Sequence, residues 1–128
     1  MVERSGRRLL IVDDEAGLVD LLKRYLERLG YEIETSVSSV EALARIEADP
    51  HRFDLVIADL TFPGVGGKKM SGEEMLERMR RHNPALPALI CSGFPYVPRQ
   101  PLTGFLQKPF LPQALAEAVE RTLNATEP

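Results

Sequence analysis

Five short β-forming runs alternate with helical stripes along this chain, and that alternation constrains the fold more than any other feature. Arg8-Leu9-Leu10-Ile11-Val12 is apolar after its first residue, and so is most of Phe53-Asp54-Leu55-Val56-Ile57-Ala58-Asp59-Leu60. Near-continuous runs of branched residues suit strands buried on both faces, as in parallel sheets. Leu86 to Cys91 is a third such run, and Phe105-Leu106-Gln107 a shorter one. Tyr31-Glu32-Ile33-Glu34-Thr35 alternates apolar and polar residues, which fits an edge strand with one wetter face.

Helical stripes lie between these runs. Leu18, Leu21, Leu22, Tyr25, Leu26 and Leu29 repeat at helical spacing, and Gly30 is a natural stop. Ser38 or Ser39 can cap a helix through Val40, Leu43, Ala44 and Ile46. Ser71 with Glu74 three residues on reads as a capping box, before Met75, Leu76 and Met79. Glu74–Arg78 and Glu77–Arg81 are stabilising pairs on its exposed side. Pro112 opens a last helix, striped by Leu115, Ala118, Val119 and Leu123. Leu111 caps it poorly, at a cost of about 1 kcal/mol against Ser or Asp. Strand-helix alternation of this kind makes an α/β domain, a parallel sheet with helices on both faces.

At 128 residues one domain is expected, with residues 1–7 a loose lead-in, 8–124 the folded unit and 125–128 a frayed tail. The chain is 44% hydrophobic and 27% charged, which excludes a disordered class. A net charge of −3 with scattered basic residues argues against nucleic acid as the main partner. No apolar run approaches the length of a membrane span. The single cysteine, Cys91, rules out a disulfide framework, fits a reducing, cytoplasmic setting, and reads as a small buried side chain. His51 and His82 are isolated near helix ends and read as solvated, and the methionines at 70, 75 and 79 read as packing.

Four groups with chemistry share one topological position. Asp13-Asp14, Asp59, Ser92 and Lys108 each follow directly on a strand. Each is ordinary alone: an acidic helix start, a turn former, a turn serine, a solvated lysine. All strands of a parallel sheet end on one edge, and ligands of such sheets bind there. Three carboxylates converging on one point need a cation. Hard oxygen donors around an open site suit Mg²⁺ completed by a phosphoryl oxygen. A lysine and a hydroxyl opposite would hold the remaining phosphoryl oxygens, and a carboxylate aimed there can be a nucleophile. Together these groups suggest phosphoryl transfer onto an aspartate. Ser92 and Lys108, at exposed strand ends, are expected to act in transfer and signalling rather than in folding.

The residues that carry a family likeness are Ile11-Val12-Asp13-Asp14-Glu15, Asp54 to Leu60 with Pro63-Gly64, Cys91-Ser92-Gly93-Phe94, and Phe105-Leu106-Gln107-Lys108-Pro109-Phe110. Across about residues 8–123 the chain resembles the receiver domain of two-component response regulators. The resemblance implies a doubly wound sheet of order 2-1-3-4-5. It makes Asp59 the phosphoacceptor. Asp14 and Asp59 would bind Mg²⁺ directly, Asp13 mostly through water, and Thr61 by its backbone carbonyl. Ser92 would take the phosphoryl group by its hydroxyl and Lys108 would pair with it, before a cis Pro109. Ser92 and Phe105 occupy the switch positions, although Phe105 lacks a tyrosine hydroxyl. The phosphodonor would be a histidine kinase or a histidine phosphotransfer protein. The phrases around Cys91 and Lys108 also resemble the receivers of hybrid kinases.

Other classes fit less well. An aspartate-nucleophile phosphohydrolase places Asp-x-Asp on its first strand, whereas Asp13-Asp14 are adjacent here. A nucleotide-binding module needs a phosphate-cradling loop there, and Asp13-Asp14-Glu15 would repel phosphate. A receiver-like interaction domain that is never phosphorylated has no need of the complete acidic set.

Two departures from the family stand out. Val65-Gly66-Gly67-Lys68-Lys69 reads as an insertion, and a tolerated surface loop is favoured over a gate or partner site. Between Ser92 and Lys108, Pro95, Pro98 and Pro101 leave no room for the family's usual helix. The expectation is no helix there, or about one turn, with much of the segment extended. Without that helix the usual activation dimer is not expected. A monomer or weak dimer should result, with partner contact shifted to the first and last helices or the open loop.

Overall fold

The computed structural model describes residues 6–59, 71–98 and 100–125. In chain order the elements are β1 (Arg8–Val12), α1 (Ala16–Arg28), β2 (Glu32–Ser36), α2 (Ser39–Ala48), β3 (Leu55–Asp59), α3 (Gly72–His82), β4 (Ala88–Ser92), β5 (Thr103–Gln107) and α4 (Pro112–Asn124). The sheet has five strands in order β2-β1-β3-β4-β5, and every neighbouring pair is parallel. The connection from β4 to β5 contains no helix among its described residues, as the prolines require.

Alternation along the strands divides the core in two. Leu10 and Val12 of β1 join Val56, Ala58, Ala88 and Ile90 beneath α2 and α3. Leu9 and Ile11 join Leu55, Ile57, Leu89 and Cys91 beneath α1 and α4. The central strands are buried on both faces because both faces carry helices, which explains their unbroken apolar runs. β2, at the sheet edge, keeps its alternating sequence.

Local chemistry sets the helix boundaries. Ser38 and Ser71 each cap a helix, accepting from the backbone N–H of Glu41 and Glu74. Leu111 makes no side-chain cap bond. Gly30 follows α1 at φ 102°, a left-handed geometry that glycine adopts without a Cβ penalty. The Glu74–Arg78 and Glu77–Arg81 pairs are present on the exposed side of α3. His82 is not isolated: its Nε2 lies 3.5 Å from Glu47 Oε2, because α3 packs beside α2.

Close approach on the α4 side fixes one further position. A Cβ at Gly104 would stand 2.8 Å from Thr122 Oγ1 and 3.2 Å from Leu89 Cδ1. Glycine at that site lets α4 seat directly on β5.

Candidate functional site

All parallel strands end on one edge of the sheet, and Asp13, Asp14, Asp59 and Lys108 meet there. Asp13 and Asp14 leave β1, Asp59 ends β3, Ser92 ends β4 and Lys108 follows β5. Asp13, Asp14 and Asp59 each place one carboxylate oxygen within 4.8 Å of the others. Lys108 Nζ donates to Asp13 Oδ2 at 2.8 Å and lies 3.5 Å from Asp59 Oδ2. The Lys108 backbone N–H donates to Ser92 O at 2.7 Å, which fixes the end of β5 against β4. The Lys108–Pro109 bond is cis.

The site is more enclosed than its sequence implies. Asp13 is buried, and its other oxygen accepts the Glu15 N–H at 3.0 Å. The Asp59 side chain is only 14% exposed, not open to solvent, and Lys108 Nζ lies beside it. Ser92 is 1% exposed, which corrects the expectation of an exposed strand end. The cause is β4 itself, whose five residues are all buried between β3 and β5. Its hydroxyl accepts from the Phe94 N–H at 3.1 Å. Lys108 is also partly covered, with 25% of its side chain exposed. Burial works against its charge, but the hydrogen bond to Asp13 and the charges of Asp13 and Asp59 outweigh that, and its pKa is raised. Burial pushes the Cys91 thiol up to about 12, so this cysteine is a packed side chain and not a thiolate.

Phe105 is half-buried and stacks at a tilt on Tyr96, ring centroids 6.0 Å apart. Thr61 and the inserted residues 65–69 lie outside the described residues, as do residues 1–5 and 126–128 of the two tails. Sequence reasoning missed Asp13 as the nearer partner of Lys108. The register of β1 against β3 brings Asp13 there, and no short-range pattern encodes it. Beside Lys108 lies a groove of about 450 Å³ lined by Glu15, Leu18, Gly93, Pro109 and Phe110.

The carboxylate set fits a small hard cation. An octahedral shell at ~2.1 Å spaces its oxygens up to ~4.2 Å apart, so oxygens within 4.8 Å need only small side-chain adjustments. All three donors are carboxylate oxygens, the type Mg²⁺ prefers.

Comparison with known proteins agrees with the geometry. The model of the response regulator receiver domain matches residues 9–120. The chain is 30% identical over 126 residues to the transcriptional regulatory protein GlrR of Escherichia coli (strain K12), covering 94% of this chain and 27% of that protein. It is 30% identical over 128 residues to the alkaline phosphatase synthesis transcriptional regulatory protein PhoP of Bacillus subtilis (strain 168), covering 95% of this chain and 50% of that protein. The solved receiver domain from the hybrid histidine kinase CckA superposes with a TM-score of 0.78 at 30% identity, covering 91% of this chain and 98% of that one. This chain belongs to the response regulator receiver domain family, the signalling modules of two-component systems. It spans between 27% and 50% of the length of these curated relatives. No helix among the described residues is long and apolar enough to cross a membrane.

Proposed function

We propose that Asp59 accepts a phosphoryl group from a phosphohistidine on a histidine kinase or phosphotransfer protein, and that the modified domain signals to a partner by a change of shape. The observation that carries this reading is the convergence of Asp13, Asp14, Asp59 and Lys108 from three strand ends. An Asp59 carboxylate oxygen forms a bond to phosphorus while the phosphorus–nitrogen bond of the donor imidazole breaks, its electron pair staying on nitrogen. Lys108 offsets charge on the phosphoryl oxygens, and the Ser92 hydroxyl donates to one of them.

Bound Mg²⁺ would neutralise further phosphoryl charge, held by Asp14 and Asp59, by Asp13 through water, and by the Thr61 carbonyl that the family likeness implies. The domain would catalyse only its own phosphoryl gain and loss. The apolar groove beside Lys108 supports docking of the phosphodonor there. A single cysteine without a disulfide supports a cytoplasmic setting.

Intact-mass analysis after incubation with acetyl phosphate and Mg²⁺ tests the reading. One phosphoryl mass should be gained by the native chain and none by Asp59→Asn. Equal labelling of Asp59→Asn would refute the assignment.

A further inference from the structure

The sheet has two edges, and the chain treats them differently. The outer strand β2 carries Glu32 and Glu34, and both are engaged by arginine: Arg8 on Glu32, Arg45 and Arg52 on Glu34. Charged side chains of this kind keep a strand edge from pairing with another chain. β5, at the opposite edge, reads Thr-Gly-Phe-Leu-Gln and holds neither charge nor proline. All of its residues stay at least partly exposed, whereas those of neighbouring β4 are all buried.

The hydrogen-bond pattern fixes what this edge offers. At one end of the β4–β5 ladder the Ala88 N–H donates to Leu102 O at 2.9 Å, and at the other the Lys108 N–H donates to Ser92 O at 2.7 Å. In a parallel pair with this register, residues 102, 104, 106 and 108 turn their bonding backbone groups toward β4. Thr103, Phe105 and Gln107 therefore turn their N–H and C=O groups away from the sheet, where no backbone partner meets them among the described residues. A groove of about 410 Å³ runs along the same edge, between β5 and the second half of α4. Leu102, Gly104, Ala118, Thr122 and Ala125 line it, so small residues keep it open. Arg121 lines it too, exposed and in no ion pair among the described residues, although Glu117 lies one turn before it.

We propose that β5 receives an extended, acidic peptide segment of a partner protein as an added strand. The outward N–H and C=O groups of Thr103, Phe105 and Gln107 supply the ladder bonds, and the groove takes alternate side chains of the peptide. Arg121 pairs with a carboxylate among them. A second copy of this chain fits less well, because its own β5 brings no carboxylate to Arg121. The groove lies beside the amino half of β5, away from the end that carries Lys108, so the contact is independent of the Asp59 reading.

The test begins by panning the full native chain against a displayed library of random dodecapeptides. Enriched sequences should alternate β-branched or aromatic residues with polar ones, carry Asp or Glu, and lack a central proline. A synthetic peptide of that sequence is then added to the ¹⁵N-labelled chain. Amide exchange at Phe105 and Gln107 should slow by at least about tenfold, while Gly104 and Leu106, already bonded to β4, change little. N-methylation of alternate peptide amides should abolish binding with every side chain intact. Arg121→Glu should weaken binding at least about fivefold, and lysines in place of the peptide's carboxylates should recover it in that variant. Lack of enrichment overturns the inference, as does binding that leaves Phe105 and Gln107 exchange unchanged or that survives N-methylation. Protection of Phe105 in the free chain that grows with protein concentration assigns the edge to a second copy and overturns the peptide reading.

Discussion

Lys108 Nζ donates to Asp13 Oδ2 at 2.8 Å, which joins the end of β5 to the end of β1 across 95 positions of sequence. β3 and β4 lie between those two strands in the sheet. The lysine therefore reaches over the site and not merely toward a neighbour. Among the described residues it pairs with two of the three carboxylates.

This gives Lys108 a structural role beside the proposed functional one. Lys108→Met should lower stability by about 1–3 kcal/mol at pH 7, since it leaves buried Asp13 without its charged partner. Urea unfolding measures the loss. Saturating Mg²⁺ should restore more stability to the variant than to the native chain, because the cation replaces the missing charge. Because the folded-state pKa of Lys108 is raised, its contribution is complete below the ordinary lysine value of 10.5 and is lost as pH climbs through the raised value. Equal stability of variant and native chain, with or without Mg²⁺, would contradict the pairing.

Asp14 is exposed, and neither hydrogen bond nor ion pair engages its side chain in the described contacts, so its removal should spare the fold. Asp14→Ala should weaken Mg²⁺ binding at least about tenfold and change stability by less than about 0.5 kcal/mol. Calorimetric titration with Mg²⁺ and urea unfolding separate the two effects. Native-like Mg²⁺ affinity in Asp14→Ala would remove this residue from the metal set.

Gly104 has a role that only the packing explains. Gly104→Ala should cost about 1–3 kcal/mol, because the new methyl meets Thr122 Oγ1 at 2.8 Å. In a Thr122→Ala background most of that penalty should vanish, with Leu89 Cδ1 at 3.2 Å as the remaining tight contact. Comparable penalties in both backgrounds would place the strain elsewhere.

Cys91 should resist thiol reagents in the native state. Its folded pKa of about 12 leaves little thiolate at pH 8, and its side chain is buried. Reaction with a disulfide reagent should be at least about a hundredfold slower than in urea. The raised pKa also means that its contribution to stability is complete below the free-thiol value of 9.0 and declines as pH rises toward 12. A fast native reaction at pH 8 would show that the β4–β5 region opens readily.

Much of this architecture is written locally. Apolar runs bounded by Asp13, Asp59 and Ser92 mark where buried strands stop, and Ser38 and Ser71 mark where helices start, since each signal spans only a few residues. Three prolines at positions 95, 98 and 101 exclude a helix before β5 for equally local reasons. Because parallel strands share an edge, the meeting of the acidic residues with Lys108 was also legible. The tertiary structure decided what depends on neighbours. Ser92 is buried because β3 and β5 flank its strand and helices cover both faces of the sheet. Lys108 favours Asp13 over Asp59 because strand register sets the distances. Arg80 carries no distinguishing mark in its helix, yet it engages four acceptors lying between 6 and 23 residues away. Burial, register and long-range hydrogen bonds arise from which elements pack side by side, and no window of sequence contains that information.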